Sequence, residues 1–252
     1  FIALALGQLA GRHSLRDIES NLKAQRACLY HLGAGSVARS TLARINEHQP
    51  CSLYEALFGK LYARCQPRSP KHKFRFNNPL YSLDASLIDL SLSIFPWAHY
   101  ALGKAAMKLH VGLNNSGNLP AFAAITEGKT SDIEFGRTLQ FPKGSIVAMD
   151  KGYVDYRWFK ELDSRGIFFV TRIRRNAIWR VIERRSVDRG MGLTCDQTIE
   201  LTGIKPQKIG LPALRRVGYR DPATGNQYEF LTNNFRLSAK TVAEIYKQRW
   251  QI

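Results

Sequence analysis

The fold of this chain is decided by the stretch Leu83-Asp84-Ala85-Ser86-Leu87-Ile88-Asp89-Leu90, which is apolar enough for a central strand yet carries two aspartates. Burying a carboxylate in a sheet costs on the order of several kcal/mol unless a partner neutralises it. Because side chains alternate along a strand, Asp84 and Asp89 lie on opposite faces, and only one of them can join a carboxylate on a neighbouring strand. The stretch predicts a strand that carries one functional carboxylate.

A second apolar run, Ser145–Met149, ends at Asp150 and supplies the candidate partner of Asp84. The elements predicted between and after these runs are strands at Lys108–Asn114 and Pro120–Thr126, a helix from Ser131, a helix at Tyr156–Leu162 and a strand at Ile167–Val170. The predicted order is three strands, a helix, a strand, a helix and a strand. This is the order of an RNase H-like mixed α/β sheet. A Rossmann unit would need a glycine-rich first turn, which this chain lacks.

In an RNase H-like sheet the first and fourth strands are neighbours, so Asp84 and Asp150 are expected to lie close together. Two carboxylates at short distance repel each other unless a cation lies between them. The pair therefore predicts a divalent-metal site of the kind used in phosphoryl transfer. The open alternative for each aspartate is a strand-end cap or a salt-bridged group.

The net charge of +17 indicates a polyanionic partner, either nucleic acid or an anionic membrane face. Residues 165–220 carry thirteen Lys and Arg against four Asp and Glu. This excess predicts a basic, β-rich insertion at about 171–227, before a strand at Tyr228–Thr232 and a last helix at Ser238–Ile252. Its first arginines, Arg172, Arg174 and Arg175, are candidate DNA ligands; a solvated basic face is the alternative.

The chain before the sheet is expected to divide in two. Residues 1–65 predict a small helical domain, with an N-cap at Ser14 followed by an acidic third position, Asp17, and a capping box at Ser52–Glu55. A DNA-reading helix-turn-helix and a helical bundle with a solvated basic face both fit this pattern. Residues 66–79, with three prolines, predict a basic linker, and residues 80–252 form the catalytic core.

Composition excludes several classes of protein. A hydrophobic content of 44% is too high for a disordered chain, and no apolar run approaches the roughly 18–20 residues that span a bilayer. The four cysteines form no C-x-x-C pair, so a zinc ribbon or disulfide scaffold is not expected, and a reducing cytoplasm fits better. The first residues, Phe1–Leu6, are interpreted as the end of a helix rather than as a targeting segment.

Several ordered segments resemble bacterial insertion-sequence transposases of the DDE class, in the group with the YREK signature. The first-aspartate region is matched by Tyr81–Ser86, Phe95–Ala98 and Lys108–His110, and the second-aspartate block by Asp150–Tyr156. The third signature, Tyr-x-x-Arg-x-x-x-Glu followed by Lys, is matched by Tyr246–Ile252. The N-terminal helical region of the family is matched by Leu29–Gly33 and Arg39–Leu42.

The resemblance implies a DNA transposase, a polynucleotidyl transferase that cleaves transposon ends and joins them to target DNA. It implies Mg²⁺ or Mn²⁺ as cofactor, two ions in the complete site, with Asp84 and Asp150 as catalytic metal ligands. Tyr246 and Arg249 are then expected along the DNA, with Arg249 on a phosphate. The implied partners are transposon-end and target DNA and a second copy of the chain in a dimeric synaptic complex at the bacterial nucleoid, without a membrane.

The chain departs from the family pattern at its end. The catalytic Glu of the pattern follows the Arg by four positions, which is the position after Ile252. Glu244 cannot replace it, because nine residues at about 100° each put Glu244 on the opposite face of the helix. The 252-residue chain is therefore expected to be a truncated, inactive fragment. The alternatives are a non-catalytic DNA-binding relative that inhibits transposition and, outside the family, a structure-selective nuclease on the same fold.

Overall fold

The computed structural model describes residues 1–90, 99–101 and 104–249. The chain divides into two compact units, with the boundary between Leu61 and Tyr62. The first unit is helical. Its elements are α1 (Ile2–Leu9), α2 (Leu15–Ala24), α3 (Arg26–Leu29), α4 (Arg39–His48) and most of α5 (Cys51–Cys65). Among the described residues, no helix combines the length and the apolar character that crossing a bilayer requires.

The helices of the first unit pack around a small apolar core. Ser14 caps α2, because its Oγ accepts a hydrogen bond from the backbone N–H of Asp17 at 3.1 Å, and this confirms the predicted N-cap. The buried side chains of the core are Ala3, Ile18, Leu22, Leu29 and Leu42.

The second predicted capping box is wrong, since Ser52 lies inside α5, which begins at Cys51. The backbone N–H of Leu53 donates to the carbonyl of Pro50 at 3.1 Å, so the first turn already includes Pro50. The fixed φ of a proline suits the entry to a helix, and here it moves the start of the helix ahead of Ser52.

The second unit is built on one continuous sheet. Its strands are β1 (Leu80–Leu90), β2 (His99–Ala101), β3 (Lys104–Asn114), β4 (Leu119–Glu127), β5 (Ile146–Met149), β6 (Phe168–Arg172), β7 (Trp179–Arg185), β8 (Leu193–Leu201), β9 (Leu214–Arg220) and β10 (Gln227–Thr232). Its helices are α6 (Asp132–Gly136), α7 (Tyr156–Ser164), α8 (Ile204–Ile209) and α9 (Ala239–Arg249). The strand order is β2-β3-β1-β5-β6-β10-β9-β8-β7, and β4 also pairs with β3.

The first half of this sheet has the predicted RNase H-like arrangement. β1, β3 and β4 are antiparallel neighbours, whereas β1 and β5, and then β5 and β6, are parallel pairs. Parallel neighbours need a crossover connection that covers the sheet, which α6 and α7 provide. The predicted mixed α/β class is confirmed; β2 is an additional short strand that the sequence did not predict.

Side-chain alternation assigns the strand residues to two faces. The face covered by α7 holds the cluster Leu83, Val147, Met149, Trp158, Phe159 and Leu162. The face covered by α9 holds Leu80, Ile146, Ala148, Val242, Ile245 and Tyr246. Asp84 and Asp150 follow Leu80 and Ala148 by even steps, so both aspartates belong to the face covered by α9.

The basic insertion continues the same sheet. β7, β8 and β9 form an antiparallel meander, β9 pairs with β10, and β10 closes the sequence by pairing with β6. The predicted β-rich character of this region is confirmed, while α8 inside it is an addition. The helix α9 follows β10 and ends at Arg249 in the described structure; the predicted extension through 250–252 and the motif segment 95–98 lie outside the described residues.

A buried ion pair holds the insertion together. Arg215 on β9 donates to both carboxylate oxygens of Asp196 on β8, at 2.8 and 2.7 Å, and each residue is about 95% buried. The same guanidinium donates to the carbonyl of Leu237 at 2.5 Å, just before α9. The insertion is therefore bonded to the segment that leads into the helix covering the two aspartates.

The stretch predicted as a linker, residues 66–79, belongs to the second compact unit. Phe74 and Phe76 are stacked, with ring centroids 5.3 Å apart, and pack against the cluster on the α9 face. The side chain of Asn78 donates to the carbonyl of Gly144 at 2.6 Å. These contacts fasten the second half of the stretch to the sheet.

The pair of Arg215 and Asp196 generates a stability prediction. Asp196→Ala leaves a buried guanidinium without its carboxylate, so we expect a loss of about 3–5 kcal/mol in the free energy of unfolding. Glu200→Ala is the control, because it breaks the exposed pair with Arg180 and should cost about 1 kcal/mol or less. Urea unfolding at pH 7 measures both; equal losses in the two variants would contradict the prediction.

Candidate active site

The parallel pairing of β1 and β5 brings two carboxylates together. Leu83 lies opposite Met149 in the register, and the next residue on each strand is Asp84 or Asp150. Their side chains are 35% and 38% exposed, although the strands before them are buried. Two aspartates thus lie side by side on one face of the sheet and are open to solvent.

The helix α9 supplies the polar partners of both aspartates. Arg249 donates from Nη1 to Oδ1 of Asp84 at 2.8 Å, and its Nη2 lies 3.8 Å from Oδ1 of Asp150. Tyr246 donates its hydroxyl to the same oxygen of Asp150 at 3.0 Å. Tyr246 and Arg249 are three residues apart, hence neighbours on one helical face, and they are 2% and 4% exposed.

Burial and charge set the protonation behaviour of this group. Burial raises the pKa of Asp84, the guanidinium of Arg249 opposes the shift, and the carboxylate of Asp150 adds to it. Burial is also the main cause that raises the pKa of Tyr246 to about 12. The Tyr246 hydroxyl is therefore protonated at neutral pH and remains a hydrogen-bond donor to Asp150.

The other candidates from the sequence lie apart from this pair. Asp89 is exposed on β1, and Glu244 is exposed on α9 while Tyr246 and Arg249 are buried. Within residues 1–90, 99–101 and 104–249, no three His, Cys, Asp or Glu side chains are grouped so that they could hold a metal ion. The four cysteines are free thiols.

The three arginines predicted as DNA ligands lie at and just beyond the end of β6. The guanidinium of Arg172 is 5.3 Å from the ring centroid of Tyr228. Arg174 is exposed and donates to the carbonyl of Val154 at 2.7 Å. Arg175 is exposed. Their role on DNA stays a prediction, as does that of Tyr246 and Arg249, which the structure places against carboxylates instead of on an open surface.

A buried histidine lies close to the site, and the sequence named it only as the last residue of the motif segment Lys108–His110, without a role of its own. His110 on β3 lies opposite Ala85 in the register and is fully buried. Its ring stacks on Phe135 at 4.3 Å between centroids, and its Nε2 lies 2.9 Å from the hydroxyl of Thr126. Burial lowers the pKa of His110, which keeps the ring neutral in the folded protein.

Two charged neighbours act on the His110 ring in opposite directions. Asp132 raises its pKa and Lys108 lowers it. These two form an ion pair, with Nζ of Lys108 2.9 Å from Oδ1 of Asp132, that joins β3 to α6. A Cβ at Gly152 would lie 2.5 Å from Oδ2 of Asp132, so the absence of a side chain at Gly152 lets its backbone approach the Asp132 carboxylate. Because the pair spans 24 positions, no local pattern in the sequence could have revealed it.

Comparison with known proteins identifies the family. Residues 78–252 match the family model described as "Transposase DDE domain", and residues 1–35 match a "Domain of unknown function (DUF4372)". The chain belongs to the DDE transposase family.

Two relatives share sequence along most of the chain. The putative transposase y4zB of Sinorhizobium fredii (strain NBRC 101917 / NGR234) is 30% identical over 221 residues, which are 86% of this chain and 60% of that protein. The probable transposase for insertion sequence element IS5377 of Geobacillus stearothermophilus is 27% identical over 217 residues, 84% of this chain and 56% of that protein. The chain thus spans less than two thirds of the length of either relative.

Solved structures show weaker likeness. The cryo-EM structure of the piggyBac transposase synaptic complex with hairpin DNA has a TM-score of 0.40 at 9% identity and covers 69% of this chain and 38% of that one. The endonuclease V of Bacillus subtilis has a TM-score of 0.31 at 10% identity and covers 76% of this chain and 81% of that one.

The lowered pKa of His110 predicts a pH dependence of stability. The unfolded chain binds a proton on this histidine near pH 6.5, whereas the folded chain resists it, so stability falls as the pH drops from about 7.5 to 5. We expect His110→Gln to reduce this loss by at most about 1.4 kcal/mol per pH unit. Urea unfolding at several pH values in this range measures the free energy of unfolding. The same slope against pH in wild type and variant would contradict the prediction. The control is His48→Gln, which changes an exposed histidine.

Proposed function

We propose that this chain supplies the catalytic core of a DNA transposase, which cleaves transposon ends and joins them to target DNA. The observation that carries the proposal is the convergence of Asp84 and Asp150 beside Arg249. Membership of the DDE transposase family supports it. The alternative is a non-catalytic DNA-binding relative that inhibits transposition.

The two aspartates suit Mg²⁺ or Mn²⁺, because carboxylate oxygens are the ligands that these ions prefer. Both side chains are about one third exposed and touch the same guanidinium, so their oxygens converge from adjacent strands. Asp84 and Asp150 are the residues that would hold the metal, two ions in the complete site. When bound, such ions activate the attacking hydroxyl or water and stabilise the leaving oxygen in phosphoryl transfer.

The remaining side chains position the carboxylates and attract DNA. Tyr246 and Arg249 fix the orientation of Asp150 and Asp84 through hydrogen bonds. The backbone carbonyl of Asp150 is in addition 3.3 Å from the hydroxyl of Thr171 on β6. We infer that a dimer of the chain holds two transposon ends, and that Arg172, Arg174 and Arg175 bind the phosphate backbone.

The first test concerns cleavage. The family pattern places a Glu at the position after Ile252, so we expect a polypeptide of residues 1–252 to bind transposon-end DNA without cutting it. A longer polypeptide with Glu at that position should cleave with Mg²⁺. In that longer polypeptide, Asp84→Asn or Asp150→Asn should reduce the cleavage rate at least about a thousandfold while leaving the Kd for DNA nearly unchanged.

Gel assays on labelled transposon ends measure cleavage and binding together. Asp89→Asn is the matched control, since this aspartate lies on the same strand but is exposed and apart from the pair, and it should cleave like the wild type. Metal-dependent cutting by residues 1–252 would overturn the expected need for a third carboxylate. Full activity of Asp84→Asn would overturn the assignment of the site.

The second test concerns DNA affinity. Phosphate contacts release counterions, so the logarithm of the binding constant falls linearly with the logarithm of salt concentration. Replacing Arg172, Arg174 and Arg175 together by Ala should reduce the magnitude of that slope by about 2–3. Fluorescence anisotropy at several salt concentrations measures it.

The control for this test replaces three arginines that already have carboxylate partners. Arg137, Arg165 and Arg180 pair with Asp155, Glu161 and Glu200. Changing these three to Ala removes the same formal charge, but we expect a smaller change in slope because the paired carboxylates already neutralise them. Equal changes in the two triple variants would contradict a specific role of residues 172–175.

A further inference from the structure

The arrangement around the aspartates contains its own cation. Arg249 is 4% exposed, whereas Asp84 and Asp150 are about one third exposed, so the guanidinium is buried while both carboxylates keep access to solvent. Its Nη1 lies 2.8 Å from an oxygen of Asp84, and its Nη2 lies 3.8 Å from an oxygen of Asp150. One positive charge is thus held against two negative charges by the packing of α9 on the sheet.

The positive charge of Arg249 reduces the repulsion between the two aspartates. Two carboxylates on adjacent strands repel each other, and burial of part of each side chain strengthens that repulsion. The guanidinium offsets it, with a direct bond to Asp84, while Tyr246 satisfies Asp150 with a neutral donor. Both carboxylates therefore have a hydrogen-bond donor within the fold itself, independently of any divalent cation.

The same guanidinium opposes a divalent cation at these oxygens. A cation held by Asp84 and Asp150 would lie near the guanidinium, which bonds Asp84 at 2.8 Å, and like charges a few ångströms apart repel strongly in a partly buried site. Either the ion pair loosens or the metal binds weakly. In both cases the charge at position 249 controls the affinity of the site.

We propose that Arg249 is a built-in counter-ion that competes with the divalent metal for Asp84 and Asp150 and so sets the metal affinity of this site. The inference rests on the proposed function, because it takes these aspartates as the metal ligands. Arg249 is thereby a positioning residue with a second role, that of holding the metal-free site together at the expense of metal affinity.

Direct Mn²⁺ binding tests the proposal. Electron paramagnetic resonance of free Mn²⁺, titrated into the 252-residue chain, gives the Kd without any catalytic assay. Arg249→Met keeps the length and apolar stem of the side chain but removes its charge, and we expect it to bind Mn²⁺ about tenfold or more tightly than the wild type. Weaker or unchanged binding in the folded variant overturns the proposal.

Two matched variants separate charge from geometry. Arg249→Lys keeps the charge without the planar fork, so its Kd should stay within about threefold of the wild type. Tyr246→Phe removes the hydrogen bond to Asp150 without changing charge and should also stay within about threefold. If Arg249→Lys tightens Mn²⁺ binding as much as Arg249→Met does, geometry and not charge controls the affinity, and the proposal fails.

The double variant Asp84→Asn/Asp150→Asn distinguishes this proposal from the proposed function. Mn²⁺ binding that survives in the double variant shows that the metal lies elsewhere, and both proposals then fail. Binding that depends on the aspartates but not on Arg249 overturns the counter-ion alone. If Arg249→Met does not fold, the ¹⁵Nη signals of Arg249 in the wild type replace that test, and comparison with Arg249→Lys assigns them. We expect these signals to shift as Mg²⁺ is added. Constant signals at saturating Mg²⁺ overturn the proposal.

Discussion

The parallel pairing of β1 and β5 is the constraint on which the rest of the site depends. In parallel strands the register and the alternation of side chains together determine which residues become neighbours. With Leu83 opposite Met149, the next residues are two aspartates on the same face. A shift of one residue in either strand would turn its aspartate toward the opposite face, where Trp158 and Phe159 are fully buried. The buried apolar residues before each aspartate oppose such a shift, because their own faces would then be exchanged.

The helix that covers the aspartates depends on distant parts of the chain. Val242, Ile245 and Tyr246 anchor α9 in the cluster on its side of the sheet. The segment before this helix is held by Arg215 of the insertion, whose guanidinium bonds the carbonyl of Leu237. The insertion is therefore more than a charged appendage, since it helps to position the helix that delivers Tyr246 and Arg249.

Part of the positive charge of the chain is paired with carboxylates within the protein. Arg185, Arg215 and Arg216 of the insertion are bonded to carboxylates, and Arg216 also lies 5.0 Å from the ring of Trp179. These arginines stabilise the meander and are less available for phosphate. A part of the excess positive charge thus serves the fold, and the number of basic residues in a region overstates what that region offers to DNA.

The sequence by itself determined the order of the strands and helices from β3 to α7, and it predicted that Asp84 and Asp150 lie close together, because alternation, apolar runs and turn residues act over a few positions. It did not predict β2 or α8. It also determined that Tyr246 and Arg249 share a helical face, since three residues nearly complete one turn. Only the tertiary structure decided what that face meets. The bonds from α9 to Asp84 and Asp150 join residues 165 and 96 positions apart, and the pairs Lys108–Asp132 and Arg215–Asp196 are likewise unrelated by any local period. Contacts of this kind form because the strands and helices pack in three dimensions, and the spacing of residues along one element carries no information about a partner on another.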